Sequence, residues 1–431
     1  MKALRTIPDL APYKKGDVMV VFGELFSSGY ANGIVDEAEK RGLTVVHSTV
    51  GRRDNEGQLR PLNDDELKDK PTPFINIPLE AGFDMEPDSK GQTPCDQLKG
   101  IKMSDWDRDH LNWDSILESQ ANGVKRFRTN TQKYMEELKK HIPKGANVLF
   151  VHTMAGGVPR AKIIMPVMNK VFKGRGDRFI PSQQLFESQL GKFSQLNFTE
   201  VTANTFQHLV ELSEGIRNSV QDNGGNVSYV AYGYHGTEIL VNNEYRWQTY
   251  TPYFQGWAKM ALEKHAQDFS KRGVQCCVFN CPEILTNSSS IFQGVEVSLY
   301  PLVGAIEKEA APSAYAKNVL ESCRALLKTE HTFEEIMNFT HKYVTNPLTL
   351  EFSSFANWPQ HNAQNQMEYM LDSSEHLIAM HKDPKNLMTS PLSEEVFKAT
   401  GFLMFHASYK LQDPVLWLNH DIVAKQMALN P

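Results

Sequence analysis

The run Asp17-Val-Met-Val-Val-Phe22 is apolar almost throughout and shows no alternation of inward and outward residues. A strand of that kind is buried on both faces, as happens where helices cover both sides of a parallel sheet. Five further runs follow: Leu43 to His47, Phe74 to Ile77, Asn147 to His152, Val227 to Tyr232 and Val274 to Phe279. Amphipathic stretches lie between them, with helices predicted at Ile34 to Lys40, Trp113 to His141, Phe206 to Gln221 and Gly256 to Arg272. Parallel neighbours need a long crossover, usually a helix, so the expected fold is α/β: a Rossmann-type, doubly wound, mostly parallel sheet. Polar residues 84–112 and the proline-containing, basic stretch 158–198 read as insertions. From residue 306 the helical period dominates and strands fade, so 1–305 is expected to form the sheet domain and 306–431 a helical C-terminal extension packed on it.

With 431 residues, 41% hydrophobic and 22% charged, the chain can bury a large core. Its net charge of −6 gives no electrostatic reason to expect nucleic acid. The N-terminus lacks the apolar stretch of a signal peptide, and Val18 to Phe22 is far too short to span a bilayer. Five cysteines without a second Cys or His pair at zinc spacing predict no metal site. Thiols packed in a reducing cytoplasm are the expectation, and a homo-oligomer stays open.

The turn after the first run, Gly23-Glu-Leu-Phe-Ser-Ser-Gly29-Tyr-Ala-Asn-Gly33, opens a helix. Glycines let the backbone approach a pyrophosphate, and a helix N-terminus supplies free N–H groups and partial positive charge. Gly23, Ser28, Gly29 and Gly33 are therefore candidate cofactor contacts. Arg52 and Arg53 follow the second run, where arginine suits the 2′-phosphate of NADPH and an acid suits the 2′-hydroxyl of NADH. The cofactor expected is NADPH or NADH, with NADPH favoured.

Chemistry concentrates in Val230-Ala-Tyr-Gly-Tyr-His-Gly-Thr-Glu-Ile239 and Tyr250-Thr-Pro-Tyr-Phe-Gln-Gly-Trp-Ala-Lys259. A phenol, with its pKa of about 10, is a poor acid at neutral pH, but a nearby ammonium lowers that value and can also hold a ribose. None of the 14 tyrosines has a lysine four or seven residues later, whereas Tyr250 has Lys259 nine later. Tyr253 is the rival for Tyr250: if Pro252 opens a helix, Tyr253 and Lys259 lie on different faces. His152, inside an apolar run, reads as a core histidine, and Glu238 either as an orienting neighbour or as an exposed loop carboxylate.

The Tyr-x8-Lys spacing, with Tyr-x-Gly-Thr-Glu-Ile upstream, resembles the trans-2-enoyl-CoA/enoyl-acyl carrier protein reductases, a divergent branch of the short-chain dehydrogenases. That resemblance implies hydride-dependent reduction of an enoyl thioester in fatty-acid synthesis, with the acyl group on acyl carrier protein or coenzyme A. It makes Tyr250 and Tyr234 catalytic, with Lys259 orienting the ribose. It also implies that Met154, Ala155 and Gly156 line the cofactor, and that Leu285 and Thr286 cap its carboxamide. Tyr30 joins the candidate cofactor contacts because the Gly29-Tyr30 step resembles the Gly-Tyr-Gly of these enoyl reductases. Two other readings share the residues: a ketone or hydroxysteroid dehydrogenase, and a non-catalytic nucleotide sensor. Finally, Arg160, Lys162, Lys170, Lys173, Arg175 and Arg178 form a basic cluster after the fourth run, suited to an acidic carrier protein.

Overall fold

In the computed structural model, all residues are described except 28, 109, 250–252, 286–291 and 430–431, and Tyr253 is described by its backbone alone. Seven parallel strands form the central sheet. In chain order they are β1 (Val18–Phe22), β2 (Thr44–Thr49), β3 (Phe74–Pro78), β4 (Val148–His152), β5 (Val227–Gly233), β8 (Cys276–Asn280) and β9 (Val415–Trp417). Between β5 and β8 the chain makes a separate antiparallel hairpin, β6 (Gly236–Val241) and β7 (Glu244–Thr249).

The sheet order is β9-β8-β5-β4-β1-β2-β3. β1 and β4 pair in register from Val18 with Val148 to Phe22 with His152. Chain continuation runs one way from β1 through β2 to β3 and the other way from β4 through β5 to β8. A crevice therefore opens beyond the carboxyl ends of β1 and β4, where open α/β sheets bind ligands. Side chains alternate between two buried clusters, one holding Val18, Val20 and Phe22, the other Met19 and Val21.

After α1 (Tyr30–Lys40) and α2 (Trp113–Lys139), the inserted stretch 158–198 forms helices: α3 (Ile164–Lys173), α4 (Ser182–Glu187) and α5 (Gln189–Thr199). Their apolar faces meet Phe83, Cys95, Leu98 and Trp106 from the polar 84–112 region and its edge, so both insertions share one cluster above the crevice. The expected helix from Phe206 to Gln221 is divided at Ser213, whose hydroxyl turns back to Leu209 O. The β6–β7 turn places Asn242 and Asn243 at φ 49° and 64°. Two consecutive positive φ values are what a two-residue hairpin turn demands.

The C-terminal part is not only helical, since it supplies β9, paired with β8 from Val278–Val415 to Asn280–Trp417. It also supplies the helix that covers the first crossover helix, α1 (Tyr30–Lys40). A Cβ on Gly33 would stand 1.9 Å from Phe397 O, and one on Gly401 would stand 2.1 Å from Gly33 C. The two helices cross backbone to backbone, which only glycine permits. Gly33→Ala is accordingly expected to destabilise the protein by at least the ~1–3 kcal/mol typical of overpacking. Gly215→Ala, where a Cβ meets nothing within 4 Å, is the control. Equal denaturation midpoints for the two variants would rule out this account of Gly33.

All five cysteines are buried and free. No described helix is long and apolar enough to cross a membrane, and no described group of His, Cys, Asp and Glu could hold a metal ion.

Candidate active site

A cavity of about 420 Å³ occupies the crevice, bounded by the first turn of α1 on one side and by Tyr232, Tyr234, Lys259 and Glu283 on the other. A second space of about 220 Å³ continues past Glu24 and Phe26 toward Val50, Glu80 and Ala81, beyond the ends of β2 and β3. The outline is elongated, as a dinucleotide requires.

Gly29 heads α1 at φ 133° with no side-chain cap, and a Cβ there would meet nothing within 4 Å. No side chain caps the first turn of α1, so this end of the helix, with its dipole behind it, borders open space at Gly29. Tyr30 lines the same wall, stacks on Tyr232 at 5.6 Å and donates its hydroxyl to Pro282 O. Gly23 lies beneath the loop: its N–H bonds Ser48 Oγ at 3.1 Å, and a Cβ would strike Thr153 Oγ1 at 2.4 Å. Gly33 is turned away from the crevice, against the C-terminal helix described above. Met154 and Ala155 line the cavities, whereas Gly156 offers its carbonyl to Thr202. Ser28 lies outside the described residues.

Arg52 and Arg53 are both engaged by carboxylates of the chain itself. Arg52 makes a two-pronged pair with Glu24, at 2.8 and 2.9 Å, and Arg53 pairs with Glu80 at 2.8 Å. Burial raises the Glu24 carboxyl, but hydrogen bonds from Arg52 and Thr49 and nearby positive charge outweigh it and hold the pKa at about 2. The groove therefore carries a fixed carboxylate, which the sequence reading passed over although it sits directly after Gly23.

At the reacting end, Lys259 comes from the helix α6 (Tyr253–Lys271) and is buried, its Nζ 2.5 Å from Tyr232 O. Burial lowers its pKa to about 8. Tyr234 lies just past β5 and donates its hydroxyl to Glu283, which lies just past β8. Tyr232 Oη is buried without a hydrogen-bond partner, and its residue lines the cavity. Uncapped amides, open space at Gly29 and an orphaned hydroxyl fit a nicotinamide dinucleotide.

Tyr250 and Thr286 lie outside the described residues, as does the side chain of Tyr253. Leu285 gives its N–H to Ser393 Oγ at 2.9 Å, so its amide already has a partner. His152 shares its Nε2 proton with Thr205 Oγ1 at 2.8 Å inside the core. His235 shares the Glu263 carboxylate at 3.2 Å and packs, tilted, against Trp358 at 4.0 Å. Glu238 is buried, and holds Arg5 and Asn419 away from the cavity. Glu283, which no sequence motif singles out, stands two residues ahead of Leu285 in the same segment.

A doubly wound sheet with a glycine-headed helix at its switch point, and a buried lysine and tyrosine beside it, defines the class of dinucleotide-dependent reductases. The family model described as enoyl-acyl carrier protein reductase FabMG matches residues 1–427, and the chain belongs to that family. A solved apo structure of FabMG, a novel type of enoyl-acyl carrier protein reductase, is 46% identical with a TM-score of 0.96, covering 99% of this chain and 98% of that one. An NADH-bound FabMG structure is 39% identical with a TM-score of 0.80, at the same coverage of 99% and 98%. A search of curated proteins gave no match.

Proposed function

We propose that this protein reduces the 2,3 double bond of an enoyl thioester on acyl carrier protein, in fatty-acid synthesis, with NADH as the preferred cofactor. The observation that carries the reading is the single cavity in which the buried Lys259 and Tyr234 face the glycine-headed start of α1. A bound nicotinamide supplies the hydride. The first turn of α1 holds the pyrophosphate, Lys259 holds a ribose and favours the ionised phenol, and Tyr234 and Tyr250 stabilise and protonate the substrate enolate. Residues 306–431 belong to the same domain on this reading, because β9 and the helix against α1 both come from them.

NADH consumption with crotonyl thioesters on carrier protein and on coenzyme A, beside simple ketones, tests this. Turnover of ketones without turnover of enoyl thioesters would move the assignment to a ketone dehydrogenase, and turnover of neither would leave a nucleotide sensor. Cofactor choice has its own test. Glu24→Gln removes the carboxylate that neutralises Arg52, so the ratio of kcat/KM for NADPH over NADH should rise roughly 10- to 100-fold, the value of a charge-assisted hydrogen bond. An unchanged ratio would show that Glu24 does not face the adenosine ribose.

The basic cluster after β4 is partly neutralised within the chain. Arg160 pairs with Glu80 and Asp84, and Arg175 with Asp372 and Glu375. Carrier docking then rests on Lys162, Lys170 and Arg178.

A further inference from the structure

Glu283 has no role in the reading above, yet it is a carboxyl facing the reaction cavity from the segment that follows β8. It is 4% exposed and accepts the hydroxyl of Tyr234 on Oε2 and the Ile284 N–H on Oε1, at 3.2 Å. A carboxyl so placed does nothing for a hydride donor and is expensive to bury as an anion. We propose that Glu283 is a catalytic proton reservoir: a neutral carboxylic acid that re-supplies the proton Tyr234 delivers to the substrate. This rests on the enoyl reductase reading.

The step balances as follows. A hydride adds to the substrate β-carbon, and the electrons of the 2,3 double bond move to the thioester oxygen as an enolate. The Tyr234 O–H proton goes to the enolate, which collapses with the new hydrogen at the α-carbon. The Glu283 proton moves to the Tyr234 oxygen, leaving a carboxylate that water reprotonates. Without substrate the phenol donates to Glu283; once the phenol turns its proton to the enolate, the neutral acid donates to the phenol oxygen and stabilises the charge developing there.

The surroundings favour the neutral acid. Burial raises the Glu283 pKa to about 8 against the opposing pull of the Tyr234 hydroxyl and the Ile284 amide, and the carboxylate of Glu296 adds to the rise. The charge of Glu296 acts from the short helix Val295–Leu299, Tyr234 bonds it from the end of β5, and Lys259 and Tyr30 line the same cavity from α6 and α1. A carboxylic acid kept neutral at pH 7 is able to donate a hydrogen bond to a reacting group.

The test compares the parent with Glu283→Gln, which keeps volume and a donor but carries no transferable proton. Expected are a kcat on the order of 10²-fold lower, an unchanged dissociation constant for NADH, and loss of the decline in kcat that the parent shows as pH rises through about 8. Infrared difference spectra of the parent should show a protonated carboxyl band that titrates near that pH and is missing in the variant. A variant with parental kcat, or one that retains the alkaline decline (which would then belong to Lys259), overturns the proposal. Glu283→Asp, which restores a proton with a shorter reach, should recover part of the turnover; no recovery, with the band absent from the parent, also overturns it. If the parent itself fails to reduce enoyl thioesters, the enoyl reductase reading fails instead, so the two failures are distinct.

Discussion

Tyr234→Phe should lower turnover of an enoyl thioester by on the order of 10²–10⁴-fold, the range for loss of a positioned acid. Cofactor affinity should change little, because the ring remains and Lys259 is held by Tyr232 O rather than by the phenol. Tyr250→Phe is expected to fall in the same range, since Tyr250 carries the Tyr-x8-Lys spacing. The double variant should lose much less than the product of the two, because groups that act on one oxyanion act as a unit. Tyr253→Phe should stay close to the parent: α6 begins at Tyr253, and six residues on a helix separate it from the face of Lys259. A parental rate for Tyr234→Phe, with Tyr250→Phe inactive, would give the acid to Tyr250 alone. An inactive Tyr253→Phe beside an active Tyr250→Phe would transfer that role to Tyr253.

Much of the fold was legible because parallel strands carry a strong signal. All six runs expected from the sequence became strands of the sheet, with ends within a few residues. The seventh strand, Val415–Trp417, is three residues long, too short for any period to register, and its burial comes from β8 rather than from its own pattern. The hairpin β6–β7 was readable in principle from Asn242-Asn243, but the tyrosine motif that overlaps β6 drew attention to chemistry instead of turn geometry. At the site, motifs with fixed spacing point to Lys259, Tyr234, Gly29 and Tyr30, and all four line one cavity. Gly33 packs against the C-terminal helix instead, and Arg52 against Glu24. A glycine needed for a helix crossing looks like one needed for a phosphate, and an arginine matched by Glu24 looks like a free one. Such pairings link residues 28 or 368 positions apart and have no local trace. Glu283 went unnoticed because a single glutamate says nothing until Tyr234 is seen beside it.

Lys259→Met should separate activity from stability in opposite directions. Lys259 is fully enclosed, and burial alone drives its pKa down to about 8, so the fold bears the desolvation of an ammonium at pH 7. Methionine fills a similar volume without that charge and gives up one bond, to the Tyr232 carbonyl. The variant should therefore unfold at a temperature equal to or above the parent. Turnover should fall by on the order of 10³-fold, a loss composed of cofactor placement and of the cation that favours the phenolate. The sign of the pH dependence follows from the same burial. Between about 8 in the folded protein and about 10.4 in the unfolded chain, the unfolded chain binds the proton more tightly, so the parent gains stability as pH rises through that window. The methionine variant lacks that slope. Calorimetry at several pH values, with NADH titrations on both proteins, reads every part of this. A variant that is clearly less stable at pH 7, or that keeps its turnover, would mean that the buried ammonium serves the packing of α6 against β5 and not the reaction.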